Sequence, residues 1–471
     1  MVQVSHFKEV FMPFIILFSL WNVEYATPVL NGAGTIALPL ALDTSGNPYI
    51  LYEDNSYIRL LSKINGIWKE ETIAIGASYI DFNWVDLEID KYNRIWTLFK
   101  KYNEAESTWY VIVAHKDSSG WKYDTINSHH RSQGMYPVNF SFASDNYGFV
   151  HLTCDSAGDC ITSWATGCYR IYNGYFWSNS EVIINDASPA YNSSMDLDSK
   201  GFPYISYEAL DTFNTCYIKC ARKNGEIWEI AVVDTYYTPS WSPTSIRINP
   251  KNDLPSIFYY HYNCDCLKYA WYDGNEWHKE IVDICGGTSE NSALEFDSTG
   301  KPYVFYKQWD GEQIRAYIAY REKDGWHKEV LPALEPPFAH MYTRTIRIDK
   351  NGIFHMSVDV EDTNYEHWRI EHIYGYPSGI GEDKERHFKL DVNMNIVNSM
   401  LDIHFSIPEG QKVSLKLYNI LGEKVMNVFQ GYMKKDEYNF HIDLSRIKDG
   451  IYFLMLDGEK EGICKKIVIM R

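Results

Sequence analysis

Carboxylates are the most abundant chemistry-bearing side chains here, with 62 Asp and Glu against 44 Lys and Arg in 471 residues. Two carboxylates flanking a glycosidic bond can hydrolyse it, one as acid and the other as base or nucleophile. Abundance makes any chosen pair a weak candidate, and no motif selects one. Arg247, Arg344 and Arg347 could hold a substrate carboxylate, yet nothing in the spacing marks them as a set. No Ser-His-Asp signature, P-loop or HExxH occurs. The sequence therefore offers acids without a catalytic constellation, and no cofactor is expected.

Metal chemistry is weighed in the same way. Asp196-Leu-Asp198-Ser-Lys-Gly201 invites a calcium reading, but position 200 is Lys and no bidentate Glu follows in register. A turn in which Asp198 bonds the backbone two residues on accounts for it better. Nine cysteines leave at least one unpaired in a monomer. Cys154 and Cys160 could close a short loop. Cys264 and Cys266 on one strand face would lie roughly 6.5–7 Å apart, at the edge of disulfide reach, and Cys216 and Cys220 roughly 13 Å apart, beyond it. No paired Cys-x-x-Cys or Cys/His spacing supports zinc, and no metal is expected.

Aromatic residues beside carboxylates form the third set. Polar connections carry Glu53, Asp54, Trp109, Trp164, His261, Trp309 and Asp310, and others carry Trp84, His129, His130 and Trp241. Aromatic faces stack on sugar rings while carboxylates accept hydroxyl hydrogen bonds, so these are the candidate ligand-binding residues. The competing reading packs half of them between structural units, where the large apolar area of an aromatic is most often used.

What must position these residues is a repeat. Asp198-Ser-Lys-Gly201 is a tight turn followed by the strand-like run from Pro203 to Tyr207, a polar loop, a second run from Cys216 to Arg222, and the hairpin turn Asn224-Gly225 before Trp228. The turn recurs at Asp43, Asp90, Asp145, Asn249, Asp297 and Asp349. Closing tryptophans are assigned at Trp68, Trp121, Trp177, Trp277, Trp326 and Trp368. Seven copies about 50 residues apart, each with four short strands and no helical run, predict a seven-bladed β-propeller. An aromatic content of 16% suits stacked sheets that need bulky fillers.

If the first strand of each copy is innermost, the residue two before each turn faces the central channel. That set is Ala41, Glu88, Ala143, Asp196, Arg247, Glu295 and Arg347. The charges among them, Glu88, Asp196, Arg247, Glu295 and Arg347, are read as a compensated structural ring, with Arg247 reaching Asp196 or Glu295 and Arg347 near Glu295.

The repeats resemble the bacterial propeller repeats written DxxGxPxIxY, LxYA and GxWxxExV, matched closely by Leu267-Lys-Tyr-Ala270 and Trp277-His-Lys-Glu280-Ile-Val282. The resemblance implies a fold; the same scaffold carries lectins, hydrolases, lyases and interaction modules. Turns such as Lys116-Asp117-Ser-Ser-Gly120-Trp121 faintly resemble the Asp-box of sialidases, a structural turn in that family.

The two ends bear on location. An apolar run, Phe11 to Trp21, predicts a signal peptide over residues 1–26, with the propeller at 27–375, a linker at 376–388 and a small Ig-like β-sandwich at 389–471. The last segment resembles the C-terminal sorting domain of the type IX secretion system at Ile407-Pro408-Glu409-Gly410, Val413 to Val425, Asp449-Gly450-Ile-Tyr-Phe453 and Lys465 to Ile469. That resemblance implies the secretion machinery as partner and a secreted or outer-surface protein with no transmembrane span when mature. A net charge of −18 argues against nucleic acid. The expected function is non-catalytic binding of an extracellular glycan or protein; the rival is a sialidase-like hydrolase or lyase.

Overall fold

The structure, a computed structural model, describes residues 21–28, 30–31, 39–54, 57–75, 86–130, 139–156, 166–183, 190–211, 213, 215–237, 244–284, 292–309, 314–332, 345–361, 367–377, 389–392, 396–397, 399–407, 410–419, 423–458 and 462–470. Strands dominate, and among the described residues the single helical piece is the 3-10 turn Tyr262–Cys264.

Six antiparallel four-stranded sheets follow one another along the chain, with inner strands Leu40–Leu42, Asp86–Ile89, Asn139–Ser144, Ala190–Leu197, Ser245–Asn249 and Ser292–Phe296. A seventh has Ile346–Ile348 innermost, then Phe354–Glu361 and His367–Gly375. Each inner strand packs against the next, and Ile346–Ile348 returns to Leu40–Leu42, so the seven blades close a ring. Apolar clusters lie between blades rather than within them. One joins Leu51, Ile58 and Leu60 of blade 1 to Leu87, Phe99 and Ala114 of blade 2; another joins Phe258 and Leu267 of blade 5 to Val304 and Tyr306 of blade 6.

The turns that define the repeat are alike in detail. In Asp198, Oδ1 accepts from the backbone N–H of Lys200 at 3.0 Å and of Phe202 at 2.8 Å. Asp43, Asp90, Asp145, Asp297 and Asp349 bond the residues two and four ahead in the same way. These carboxylates are spent on backbone donors, as an Asx turn requires. The copy at Asn249 runs one residue longer, and Asp253 takes the left-handed conformation (φ 60°) that Asn93 takes in the Asp90 turn and glycine in the other five.

Two sequence assignments are corrected at the seventh blade. Its outer strand is Trp21–Tyr25, paired antiparallel with His367–Gly375. Residue 26 is therefore inside the propeller: Ala26 is buried, its N–H bonds the Ile370 carbonyl, and Thr27 Oγ1 accepts from Ile370 N. A boundary after residue 26 would cut off the strand that closes the ring. Trp368 lies on the third strand; the outer-strand tryptophan of blade 7 is Trp21.

One contact recurs between outer strands. At two borders the Glu three residues after a blade's outer tryptophan is gripped by the next blade's tryptophan and by the cation paired across from it, and at two others half of that contact is made. Glu71 takes Trp121 Nε1 at 3.0 Å and Lys116 Nζ at 2.5 Å; Glu280 takes Trp326 at 2.8 Å and Arg321 at 2.5 Å. Trp21 donates to Glu329 at 2.8 Å, and Glu24, three after Trp21, takes Lys63 of blade 1 at 2.6 Å. Trp21-Asn-Val-Glu24 thus repeats Trp68-Lys-Glu-Glu71 and Trp326-His-Lys-Glu329.

Residues 378–471 form a second compact unit. One sheet is Lys389–Val392, Met400–Ile407 and Asp436–Asp443. The other is Ile396–Val397, Gly462–Ile469, Gly450–Asp457, Gln411–Asn419 and Lys424–Met433, its first pair parallel. Alternation places Leu401, Ile403, Phe405 and Ile407 of the first sheet with Leu415, Leu417, Leu454 and Leu456 of the second in one core, the arrangement of a β-sandwich.

Candidate functional site

The channel wall is built by period two in the inner strands. Residues two and four before each turn face inward, and their side chains reach the next blade's backbone. Asp86 Oδ2 accepts from Phe142 N at 2.8 Å, Ser141 Oγ from Met195 N at 3.2 Å, Asp196 Oδ2 from Ile248 N at 2.7 Å and Ser245 Oγ from Leu294 N at 3.0 Å. The positions four before the turn were not singled out in the sequence, although the same period marks them.

Among these staples sit the ring charges. Glu295 Oε2 lies 3.6 Å from both Arg247 Nε and Arg347 Nη1. Each guanidinium also donates to the carbonyl of the preceding residue, Ile246 or Ile346. Desolvation opposes the charge on Arg247, but Glu295, Asp196 and Asp86 together hold its pKa above normal; Arg347, half-buried beside Arg247, is lowered by desolvation and by that like charge. Burial raises Asp86 and Asp196 and pushes Glu88 up to about 7, against the Ser144 hydroxyl and the arginines. Beside Ala41, whose methyl leaves room, a cavity of about 380 Å³ is lined by Glu88, Arg347, Asp43 and Asp349. It lies at the end carrying the Asp-x-x-Gly turns, opposite the connections chosen from sequence.

Of those chosen residues, Trp84, Trp164 and Trp241 lie outside the described residues, as do Asp310 and the side chains of Asp54, His129, His130 and Trp309. The backbone of His129 and His130 belongs to the outer strand Gly120–His130 rather than to a linker. Trp109 lies in the strand Thr108–Asp117 opposite Tyr102, with ring centroids 4.9 Å apart. Glu53 lies within the second strand of blade 1, Pro48–Asp54, paired with Ile58. These strands outrun the sequence estimate because cross-strand pairing continues into residues read as loop.

His261 shows the packing alternative at work. It is buried at the end of Leu254–His261, against Tyr236 of blade 4 at 4.8 Å. Asp234 of blade 4 takes Tyr259 at 2.7 Å and Lys268 and Lys279 at 2.8 Å, and these hold its carboxyl well below normal in spite of burial. Tyr236 donates to the buried Glu208 at 2.7 Å. Asp283 repeats the scheme one blade on, with Tyr306 at 2.7 Å and Lys328 at 2.6 Å. Asp234 and Asp283 weld neighbouring blades together, whereas Glu208 ties two strands within blade 4.

Three aromatics at the same end are spent on no core. Phe213, Tyr237 and Tyr262 are 87%, 73% and 51% exposed. Tyr237 N bonds Asn263 Oδ1 at 2.7 Å across the blade 4–5 border, and Thr215, two residues after Phe213, pairs with Tyr237. Asp211 lies beside them, held below the usual range by the N–H groups of Thr215 and Phe213 despite some desolvation. Sequence reasoning missed Phe213 and Tyr262, whose exposure no spacing signals. Metal-ligand types also meet here: His261, Cys264 and Cys266 place their donor atoms within 4.8 Å of one another.

Seven sheets closed around a charged channel, followed by a β-sandwich, define a seven-bladed propeller with a C-terminal module. Residues 395–470 match the family described as Secretion system C-terminal sorting domain. The protein is exported by the type IX system to the cell surface or the extracellular space. Among the described residues no helix is long and apolar enough to cross a membrane. No curated protein matches the chain significantly. Among solved structures, polysaccharide lyase Uly1 aligns with a TM-score of 0.49 at 10% identity, over 72% of this chain and 89% of its own. The Penicillium chrysogenum alpha-L-arabinanase complexed with arabinobiose gives 0.42 at 10%, over 74% and 98%. SapL1 lectin in complex with alpha methyl fucoside gives 0.40 at 13%, over 65% and 98%. Likeness at this level concerns the fold and argues for no activity.

Proposed function

We propose that this exported propeller is a non-catalytic module that binds an extracellular glycan through the blade ends opposite the Asp-x-x-Gly turns. The observation that carries the reading is the exposed trio Phe213, Tyr237 and Tyr262 beside Asp211. Aromatic faces with a neighbouring acceptor suit pyranose rings, and one such contact is worth on the order of 1 kcal/mol beyond area burial, by analogy with aromatic pairs. The acids described at this end lend further support. Asp234, Asp283 and Glu208 are engaged by lysines and tyrosines, which leaves them poorly suited to serve as a catalytic pair.

A glycan array probed with the full chain tests this, with reducing ends assayed on every hit. Binding without release, lost in Tyr237→Ala and Tyr262→Ala with the melting temperature unchanged, supports the reading. Release abolished by one carboxylate-to-amide change establishes a glycan-cleaving enzyme instead.

A further inference from the structure

The connection between the second and third strands of blade 5 compresses three soft donors into six residues, His261-Tyr-Asn-Cys264-Asp-Cys266. The chain is not extended there. A 3-10 turn at Tyr262–Cys264 and a left-handed Asp265 (φ 47°, ψ 50°) fold Cys264 back until its Cα lies 5.2 Å from that of Cys266, and the sulfurs are bonded as a disulfide. An extended strand would have separated them further, as expected from sequence. The same fold sets Cys264 Sγ 3.3 Å from His261 Nδ1.

The imidazole is oriented from its other side. His261 Nε2 faces Asp234 Oδ2 at 3.8 Å, and Asp234 is fixed by Tyr259, Lys268 and Lys279. A ring with one nitrogen toward sulfur and the other toward an anchored carboxylate has the arrangement that orients metal-bound histidines. His261 and Cys266 are buried on blade strands, whereas Cys264 is exposed and gives an ion access.

We infer that the dithiol form of this loop binds Zn²⁺ through His261 Nδ1 and the thiolates of Cys264 and Cys266, with water in the fourth position. Two thiolates and an imidazole suit zinc and disfavour magnesium or calcium. Reduction breaks the Cys264–Cys266 bond, consuming two electrons and two protons from a low-molecular-weight dithiol that becomes its own cyclic disulfide. Zinc then displaces the two thiol protons to solvent. A disulfide offers no thiolate, so the loop holds either the S–S bond or the metal.

The test uses the full chain, reduced with a non-chelating phosphine, and Zn²⁺ or Co²⁺ alone as probe. Reduced protein should take up one more ion per chain than the Cys264→Ser/Cys266→Ser double variant, with a thiolate-to-cobalt charge-transfer band in the Co²⁺ form. Oxidised protein should lack both. The buried thiols Cys216 and Cys220 are common to all samples and cancel in the difference. Asp234→Asn should weaken Zn²⁺ about 10–100-fold while leaving the stoichiometry unchanged. Equal uptake by the oxidised protein or by the double variant, or no excess uptake on reduction, overturns the inference. Circular dichroism of the reduced protein and the variant makes a failure to bind distinguishable from unfolding.

Discussion

Trp21 donates its indole N–H to Glu329 at 2.8 Å, across 308 residues of sequence. The first described strand, which completes blade 7, is tied there to the outer strand of blade 6. Trp21 is 8% exposed and packs edge-on against Phe354, with centroids 6.2 Å apart. Trp21→Ala should cost about 3–5 kcal/mol in denaturant unfolding, as large buried aromatics do. Edman sequencing of the exported protein should begin at or before Trp21. A mature chain starting at residue 27 with an unchanged melting temperature would contradict the closure.

Acid should loosen the same seam. His372 is 1% exposed, stacked on Tyr374 and His355, and bonded to Glu24 at 2.8 Å. Burial lowers its pKa to about 4, whereas an unfolded histidine titrates near ~6.5. Between those values the unfolded chain binds the extra proton, so stability is complete above about pH 6.5 and is lost as the pH falls toward 4. Glu24, held below its ordinary pKa by His372 and Lys63 in spite of burial, loses its contribution in the same direction at lower pH. The loss from His372 should be on the order of 3 kcal/mol at most. Urea midpoints should fall over pH 6.5 to 4, and less steeply in His372→Gln.

Glu295 is the hinge of the channel charges. Glu295→Gln leaves Arg247 and Arg347 facing each other without the carboxylate between them, and should destabilise by about 3 kcal/mol. Adding Arg347→Met should recover much of that loss. Equal stability of the single variant and the parent would mean that solvent already screens the pair.

Export depends on the second unit. Deleting residues 389–471 in the native host should leave the propeller in the periplasm, as read by cell fractionation. Release of the truncated chain equal to that of the full one would show that sorting lies elsewhere.

Much of this was legible because it is periodic. The Asp-x-x-Gly turns, the inner-strand charges and the sandwich strands each follow from a spacing fixed by backbone geometry. Trp21-Asn-Val-Glu24 carries the outer-strand pattern too, but it adjoins an apolar run, and in sequence a leader and a buried strand look alike. The candidate ligand residues were legible only as types. Whether an aromatic such as His261 or Tyr236 packs between blades, or one such as Tyr262 stands in solvent, depends on neighbours brought together by the ring. The approach of Cys264 to His261 depends on a 3-10 turn, and its approach to Cys266 on a left-handed Asp265, which no local pattern announces.

Polymer against oligomer is the most direct measurement of the binding account. A binding face that engages a chain at the Phe213, Tyr237 and Tyr262 cluster and at further blade ends together should gain affinity with ligand length. Titration of the full chain with a polysaccharide identified on the array, and with its tetrasaccharide, should show the polymer bound about 100-fold tighter, with no new reducing ends. Equal affinities, or reducing ends that accumulate and vanish with one carboxylate-to-amide change, would contradict it.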